Sequence, residues 1–325
     1  MKYYIFLSIL FFKTAIATAT TTDSSKIQYY YLKNGFILGY QKPRPMQFLK
    51  NIPYNFVDCI KKNSNPAGAI ALTSVAISTL LLIPADQDII NSSQQFGRFL
   101  NLDRKSSFKN ISPFKFAEIS IPKNTNSWFY YFGDGLAHTP ITASFLLYGL
   151  LKKDNRALQT GLQLMEGYLV MGTLTQLIKH STGRESPFRA SKPGGRWHFF
   201  PNQKDYHNSV PTYDAFPSGH LATIMVALTV ISENYPDKLF IKPLGYSILS
   251  LCAYSMLNNG VHWASDYPLS LAMGYFYGKY LVNRYRTTQK QKNLSLKMTK
   301  TRNKIHFYPA FYPAGLGFSF RYSIY

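Results

Sequence analysis

Residues 216–234 read FPSGHLATIMVALTVISEN, a helix-start signal followed by an apolar run. A hydroxyl such as that of Ser218 can accept from one of the backbone N–H groups that a helix's first turn leaves unpaired, and Pro217 precedes it as a break. About 15 residues then pass before Glu233, enough for a helix but fewer than the roughly 20 a membrane span needs. Comparable apolar stretches lie near 66–84, 128–151, 158–178, 243–258 and 265–283, the last opened by Ser265-Asp266. Gly, Pro and charge collect between them, above all in the loop 179–219 with its Lys-Pro-Gly-Gly-Arg at 192–196. This pattern predicts an all-α fold, a bundle of about six helices.

Working outward, Lys2, the apolar run Tyr3–Phe12 and the small residues at 14–19 read as an export signal over 1–19. Residues 20–65 form a Tyr-rich extension without strong periodicity, 66–283 the helical domain, and 284–325 a basic linker and aromatic tail. In that tail Ile305–Tyr325 alternates aromatic residues on either side of Pro-Ala-Gly at 313–315, which predicts a short β-hairpin. Among the apolar stretches only Pro66–Pro84 has the length and composition of a span. A scheme with all six helices spanning and the signal removed would place the basic tail on the wrong side for the positive-inside tendency. The expectation is therefore an exported bundle, periplasmic or membrane-associated, with some stretches serving as buried core.

The chain has 325 residues, 46% hydrophobic and 16% aromatic, which excludes a disordered chain. Its net charge of +21 points to phosphorylated substrates or an anionic membrane surface. No zinc-finger spacing or aromatic RNA-binding signature accompanies the charge, so nucleic acid is not an expected partner. Cys59 and Cys252 make no disulfide framework, no Cys-x2-Cys or His-x3-His spacing occurs, and no metal site is expected.

Three clusters carry chemistry: Lys179-His-Ser-Thr-Gly-Arg184-Glu-Ser186-Pro187, Phe216-Pro217-Ser218-Gly219-His220, and Asn258-Asn-Gly-Val-His262-Trp-Ala-Ser-Asp266. A phosphate dianion needs several donors; Lys179 supplies a point charge and Arg184 a planar fork. Ser218 and Gly219 set free N–H groups at a helix N-terminus, a ready anion site, and glycine lets backbone approach a ligand closely. His220 beside it can protonate a leaving oxygen. His262 and Asp266, four apart, fall on one helical face, where a carboxylate can orient an imidazole nucleophile.

In this order the clusters resemble the type 2 phosphatidic acid phosphatase family, which also includes vanadium haloperoxidases and bacterial acid phosphatases. Its pattern is K-x6-R-P, then P-S-G-H, then S-R-x5-H-x3-D. The resemblance, over roughly 66–283, implies an all-helical bundle, hydrolysis without a cofactor, a nucleophile at His262, an orienting Asp266 and a general acid at His220. It also implies a phosphorylated small molecule or lipid as substrate. Ser186 and Met256 stand where the family has arginines, so two of three cationic phosphate ligands are replaced. Arg184 is the expected compensation, with Arg189, Lys192 and Arg196 as further candidates. A vanadate-dependent peroxidase using the same cradle, and an inactive anion-binding envelope protein, are the rival readings. Gly133-Asp134-Gly135 with His138 could line the site, His180, His198 and His207 read as solvated loop residues, and Trp263 reads as packing.

Overall fold

The computed structural model describes residues 27–44, 46–114, 117–290, 304–312 and 315–323. The expected export signal at 1–19 lies outside them. The chain divides into two compact units, Met1–Gln289 and Lys290–Tyr325.

The first unit is the expected helical bundle. It opens with strands β1 (Gln28–Tyr31) and β2 (Phe36–Tyr40), paired antiparallel from Gln28↔Tyr40 to Tyr31↔Ile37. Helices α1 (Gln47–Asn63), α2 (Pro66–Leu82) and α3 (Asp86–Phe99) follow, the last two joined by a single 3-10 turn. An antiparallel pair, β3 (Phe108–Phe114) and β4 (Ala117–Pro122), leads to α4 (Thr125–Tyr131) and α5 (Gly135–Lys152). Then come α6 (Asn155–Thr182), the short α7 (Gln203–Asn208), α8 (Gly219–Asn234), α9 (Ile241–Asn258) and α10 (Tyr267–Tyr285). Strand β5 (Arg286–Lys290) completes a sheet of order β1-β2-β5.

The stretch 216–234 becomes the centre of the bundle. Ser218 caps α8 as its sequence predicts, and Leu221, Ala222 and Ile224–Val230 are all buried. Val226 and Val230 pack with Leu164 and Met171 of α6 and Leu281 of α10. Close approach of α8 and α10 depends on Gly274: a Cβ there would stand 2.6 Å from the Ala222 carbonyl oxygen. That distance is well inside van der Waals contact, so even alanine would force the helices apart.

Two expectations change. The predicted apolar stretch 128–151 is broken at Phe132-Gly133-Asp134, where the Asp134 side chain accepts from the Leu136 amide and restarts the chain as α5. Residues 47–63, inside the extension expected to lack strong periodicity, form a 17-residue amphipathic helix with Pro53 inside it. Tertiary hydrogen bonds hold it: Asn55 of α1 donates to Glu166 Oε1 of α6 at 2.6 Å and to the Tyr285 hydroxyl of α10 at 2.9 Å.

The outer faces are apolar. In α2 Ile70, Leu72, Leu80 and Leu81 are exposed, as are Leu147 and Leu151 of α5 and Leu244 of α9. Among the described residues one helix, Pro66–Phe99, is long and apolar enough to cross a membrane, and only 6% of its apolar window is buried. It contains the stretch the sequence marks as a span. The second unit holds the expected hairpin, β6 (Lys304–Tyr312) with β7 (Gly315–Ser323), antiparallel from Lys304↔Ser323 to Tyr312↔Gly315.

Candidate active site

The site forms where α6 ends and α8 and α10 begin. Lys179 lies in the last turn of α6, buried, with Nζ 3.5 Å from Asp214 Oδ2. Gly183 ends the helix in the left-handed region (φ 54°), its amide donating to the Lys179 carbonyl. A Cβ at Gly183 would lie 2.1 Å from the His198 carbonyl oxygen, so both the conformation and the space demand glycine.

That turn drives Arg184 inward. Its guanidinium is fully buried between the rings of Trp197 and Trp263, at 4.7 and 5.4 Å from their centroids. Nη1 donates to Ser265 Oγ and to Asp266 Oδ1, both at 2.6 Å. Nη2 donates to Asp86 Oδ2 at 2.6 Å and to the Gly194 carbonyl at 3.1 Å. All four terminal N–H groups are thus engaged, and Nε, itself buried, has no acceptor among the described residues. The expectation that Arg184 replaces the missing phosphate ligands is corrected: it is held as a clasp between two carboxylates. A buried guanidinium needs this compensation, because desolvation costs it more than a single ion pair returns.

Asp86, at the start of α3, is the residue the sequence reading missed. Besides Arg184 it accepts from the Ser265 amide at 3.0 Å and the Ser265 hydroxyl at 2.5 Å. Its only signal is an acid immediately after the most apolar stretch of the chain.

Asp266 sits between this clasp and His262. Its Oδ2 accepts from the Trp263 amide at 2.7 Å and lies 3.4 Å from His262 Nδ1. His262 Nδ1 lies 2.6 Å from the Ala215 carbonyl oxygen. A carbonyl can only accept, so Nδ1 carries a proton, and in the neutral ring the lone pair is on Nε2. The ring is therefore oriented by Ala215 first and Asp266 second, whereas the spacing pointed to Asp266 alone.

His220 faces His262, ring centroids 6.4 Å apart. Behind it, Tyr130 lies at 4.5 Å between ring centroids, and Gly133 is so close that a Cβ would meet His220 Cβ and Cδ2 at 2.6 Å. The Gly133-Asp134-Gly135 turn thus backs the site, through Gly133. His220 Nε2 is buried without a hydrogen-bond partner among the described residues.

At the helix start, Ser218 Oγ accepts from the Leu221 amide at 3.5 Å and donates to Met256 Sδ at 3.6 Å. The Ser218 amide donates to the Asp266 carbonyl at 3.2 Å, tying the second motif to the third. At Gly219 a Cβ would meet only Thr175 Oγ1, at 3.8 Å, so there is room beside the first turn of α8.

The two replaced arginine positions are filled in different ways. Met256 is buried with Leu221, Ile224 and Cys252 in an apolar cluster. Ser186 is buried, its amide donating to the Pro211 carbonyl at 3.0 Å. Arg189, Lys192 and Arg196 are exposed in the loop above. Glu185 organises that loop. Burial alone would raise its pKa, but the amides of Ser191 and Arg196, both donating at 2.9 Å, and His198 hold the carboxyl below the usual range.

Of the loop histidines, His207 is exposed as expected, whereas His180 and His198 are half-buried. His198 Nε2 is 3.2 Å from Glu185 Oε1, and His180 stacks on Tyr206 at 3.8 Å. His207 Nδ1 meets the Gln203 carbonyl at 2.6 Å. His138 is buried in α5 against Tyr168, centroids 5.2 Å apart. Trp263 packs as expected, its Nε1 donating to the Glu185 carbonyl at 2.8 Å, and both cysteines are free and buried.

Residues 160–290 match the model of the PAP2 superfamily. Among solved structures, LpxE of Aquifex aeolicus is similar at 18% identity over 49% of this chain and 83% of its own, with a TM-score of 0.35. The transmembrane PAP2-type phosphatidylglycerolphosphate phosphatase of Bacillus subtilis is similar at 16% identity over 65% of this chain and 94% of its own, with a TM-score of 0.41. No curated protein matches the chain. The stretch that matches this model carries Lys179, His220, His262 and Asp266.

Proposed function

We propose that this chain is a phosphatase that uses no metal and hydrolyses a phosphate monoester or diphosphate, lipid-linked, through a phosphohistidine at His262. The observation that carries the reading is the 2.6 Å contact of His262 Nδ1 with the Ala215 carbonyl: Nδ1 donates this hydrogen bond, and in the neutral ring Nε2 keeps the lone pair as the nucleophile opposite His220.

In the first step Nε2 attacks phosphorus and the bond from phosphorus to the leaving oxygen breaks, His220 delivering the proton to that oxygen. The imidazolium formed at His262 is stabilised by Asp266, whose carboxylate is fixed by Arg184 and the Trp263 amide. In the second step His220 takes a proton from water, whose oxygen attacks phosphorus and releases His262. Lys179 and the first amides of α8 hold the phosphoryl oxygens, with the room beside Gly219 to receive one of them.

The apolar outer faces of α2, α5 and α9 support a bundle set in a bilayer, which favours a lipid-borne substrate over a free ester. We assign the protein to the cell envelope on that basis. The test is turnover of a generic phosphate ester and of a phosphatidate with EDTA present, alongside His262→Ala. Activity that withstands EDTA and disappears in the variant supports the reading. A folded protein inactive on every phosphate ester supports the rival, an anion-binding scaffold, for which the burial of Met256 and Ser186 is the favouring observation.

A further inference from the structure

The cations of the candidate site are matched by carboxylates before any substrate enters. Arg184 is held between Asp86 and Asp266, at 2.6 Å from each. Lys179, the cation aimed at phosphate, has its Nζ 3.5 Å from Asp214 Oδ2. Two cations thus meet three carboxylates in these contacts, and Ser186 and Met256 add no charge where the family pattern has arginines. Arg189, Lys192 and Arg196 of the loop above are exposed, where water and salt screen them. A phosphate dianion entering here meets a surplus of negative charge.

Asp214 is the carboxylate on which this surplus turns. Asp86 and Asp266 are wholly buried and keep Arg184, whereas the Asp214 side chain is 28% exposed. Its contact with Lys179 is long for a charged hydrogen bond. Its backbone is fixed by the same parts that orient the nucleophile. Asp214 bridges Arg184, the Ala215 amide donates to the Arg184 carbonyl at 2.9 Å, and the Ala215 carbonyl accepts from His262 Nδ1. The charge of Lys179 acts on His220, and that of Asp214 acts on Tyr130, whose ring centroid lies 4.5 Å from that of His220. Asp214 therefore belongs to the phosphate side of the site.

When Lys179 donates to a phosphoryl oxygen at about 2.8 Å, the Asp214 carboxylate stands within about 6 Å of that oxygen. Like charges at this range oppose binding unless the substrate brings a cation of its own.

We propose that the substrate carries a protonated amine close to its phosphate, and that Asp214 is the residue that selects it. Lys179 then pairs with the phosphate and the ammonium group with Asp214, so no charge is left alone. An ester with a hydroxyl in place of the amine leaves Asp214 without a cation. The proposal rests on the reading of this site as a phosphatase. An amino-lipid phosphate and a soluble aminoalkyl phosphate offer the same chemistry, and the test separates them.

The experiment measures binding by calorimetry and turnover separately, with EDTA present, on the full chain and on Asp214→Asn and Asp214→Glu. The probes are aminoethyl phosphate against hydroxyethyl phosphate, and hexadecyl phosphate with and without an amine on the carbon next to the ester carbon. The parent is expected to bind the amine at least tenfold more tightly, in the hexadecyl pair alone if the source is a lipid and in both pairs if it is a soluble ester. Asp214→Asn should abolish the preference: the amine binds fivefold or more weakly, while the amine-free ester binds as well or better because Lys179 is released. Asp214→Glu keeps the charge and should keep the preference. A purely structural Asp214 would move both members of a pair together. No preference in the parent, or a preference unchanged in Asp214→Asn, would overturn the proposal. A preference for the amine in binding without any turnover would overturn the phosphatase reading and leave the amine subsite standing.

Discussion

Around His262 the orienting groups are closed into a network, whereas the side on which a phosphate would lie is sparsely furnished. Asp266, Arg184, Asp86, Ser265, Trp263 and the Ala215 carbonyl join helices whose residues are up to 180 positions apart, at distances of 2.5–3.0 Å. Opposite them stand Lys179, already 3.5 Å from Asp214, the first turn of α8 with room beside Gly219, and a serine and a methionine at the positions where the family pattern has arginines. The contrast separates two demands on such a site. Orientation of a nucleophile needs buried, mutually satisfied groups, and those also hold the fold. Phosphate affinity needs donors left unsatisfied until substrate arrives, and here these are fewer.

The largest test of the contrast is at the nucleophile. His262→Ala should lower turnover on the order of a thousandfold or more while the protein stays folded. Turnover within tenfold of the parent would break the assignment. Next is the clasp. Arg184→Ala leaves Asp86 and Asp266 buried without their cation, and should cost roughly 3–5 kcal/mol in denaturant unfolding. If it instead raised KM with stability intact, Arg184 would be a phosphate ligand after all.

Gly133→Ala puts a methyl group where His220 stands 2.6 Å away. Displacing that ring should reduce kcat about tenfold to a hundredfold, with KM little changed. A parent-like pH–rate profile and kcat would remove His220 from the reaction. On the phosphate side, Ser186→Arg adds a charged donor of roughly 1.5–3 kcal/mol, and should strengthen inhibition by inorganic phosphate about tenfold or more. Unchanged inhibition would show that position 186 does not face the phosphate.

The smallest effect is in the loop above the site. Because the Glu185 pKa is depressed in the fold, its contribution is present above the ordinary value of 4.5 and is lost as pH falls through the lower folded value. Glu185→Gln should therefore have a lower thermal midpoint than the parent at neutral pH, with the gap closing in acid. A gap independent of pH would point to lost packing rather than lost charge.

Much of this was legible in the chain itself. Apolar runs opened by Ser218 and by Ser265-Asp266 set the positions of α8 and α10, because helix starts are local chemistry. The likeness of the three motifs to a phosphatase family follows from residue types at short spacings, and so does the replacement of two arginines by Ser186 and Met256. The helix at 47–63 has an amphipathic period of its own, but its docking was not legible, since Asn55 meets Glu166 and Tyr285 only across the fold. Spacing alone likewise made Arg184 look like a substrate ligand. Only the tertiary structure decided that it is a clasp, by bringing Asp86 to a position 2.6 Å from its guanidinium. The physical reason is the same in both cases: local sequence specifies which groups a turn can present, but the partner that satisfies a buried charge comes from wherever packing brings one.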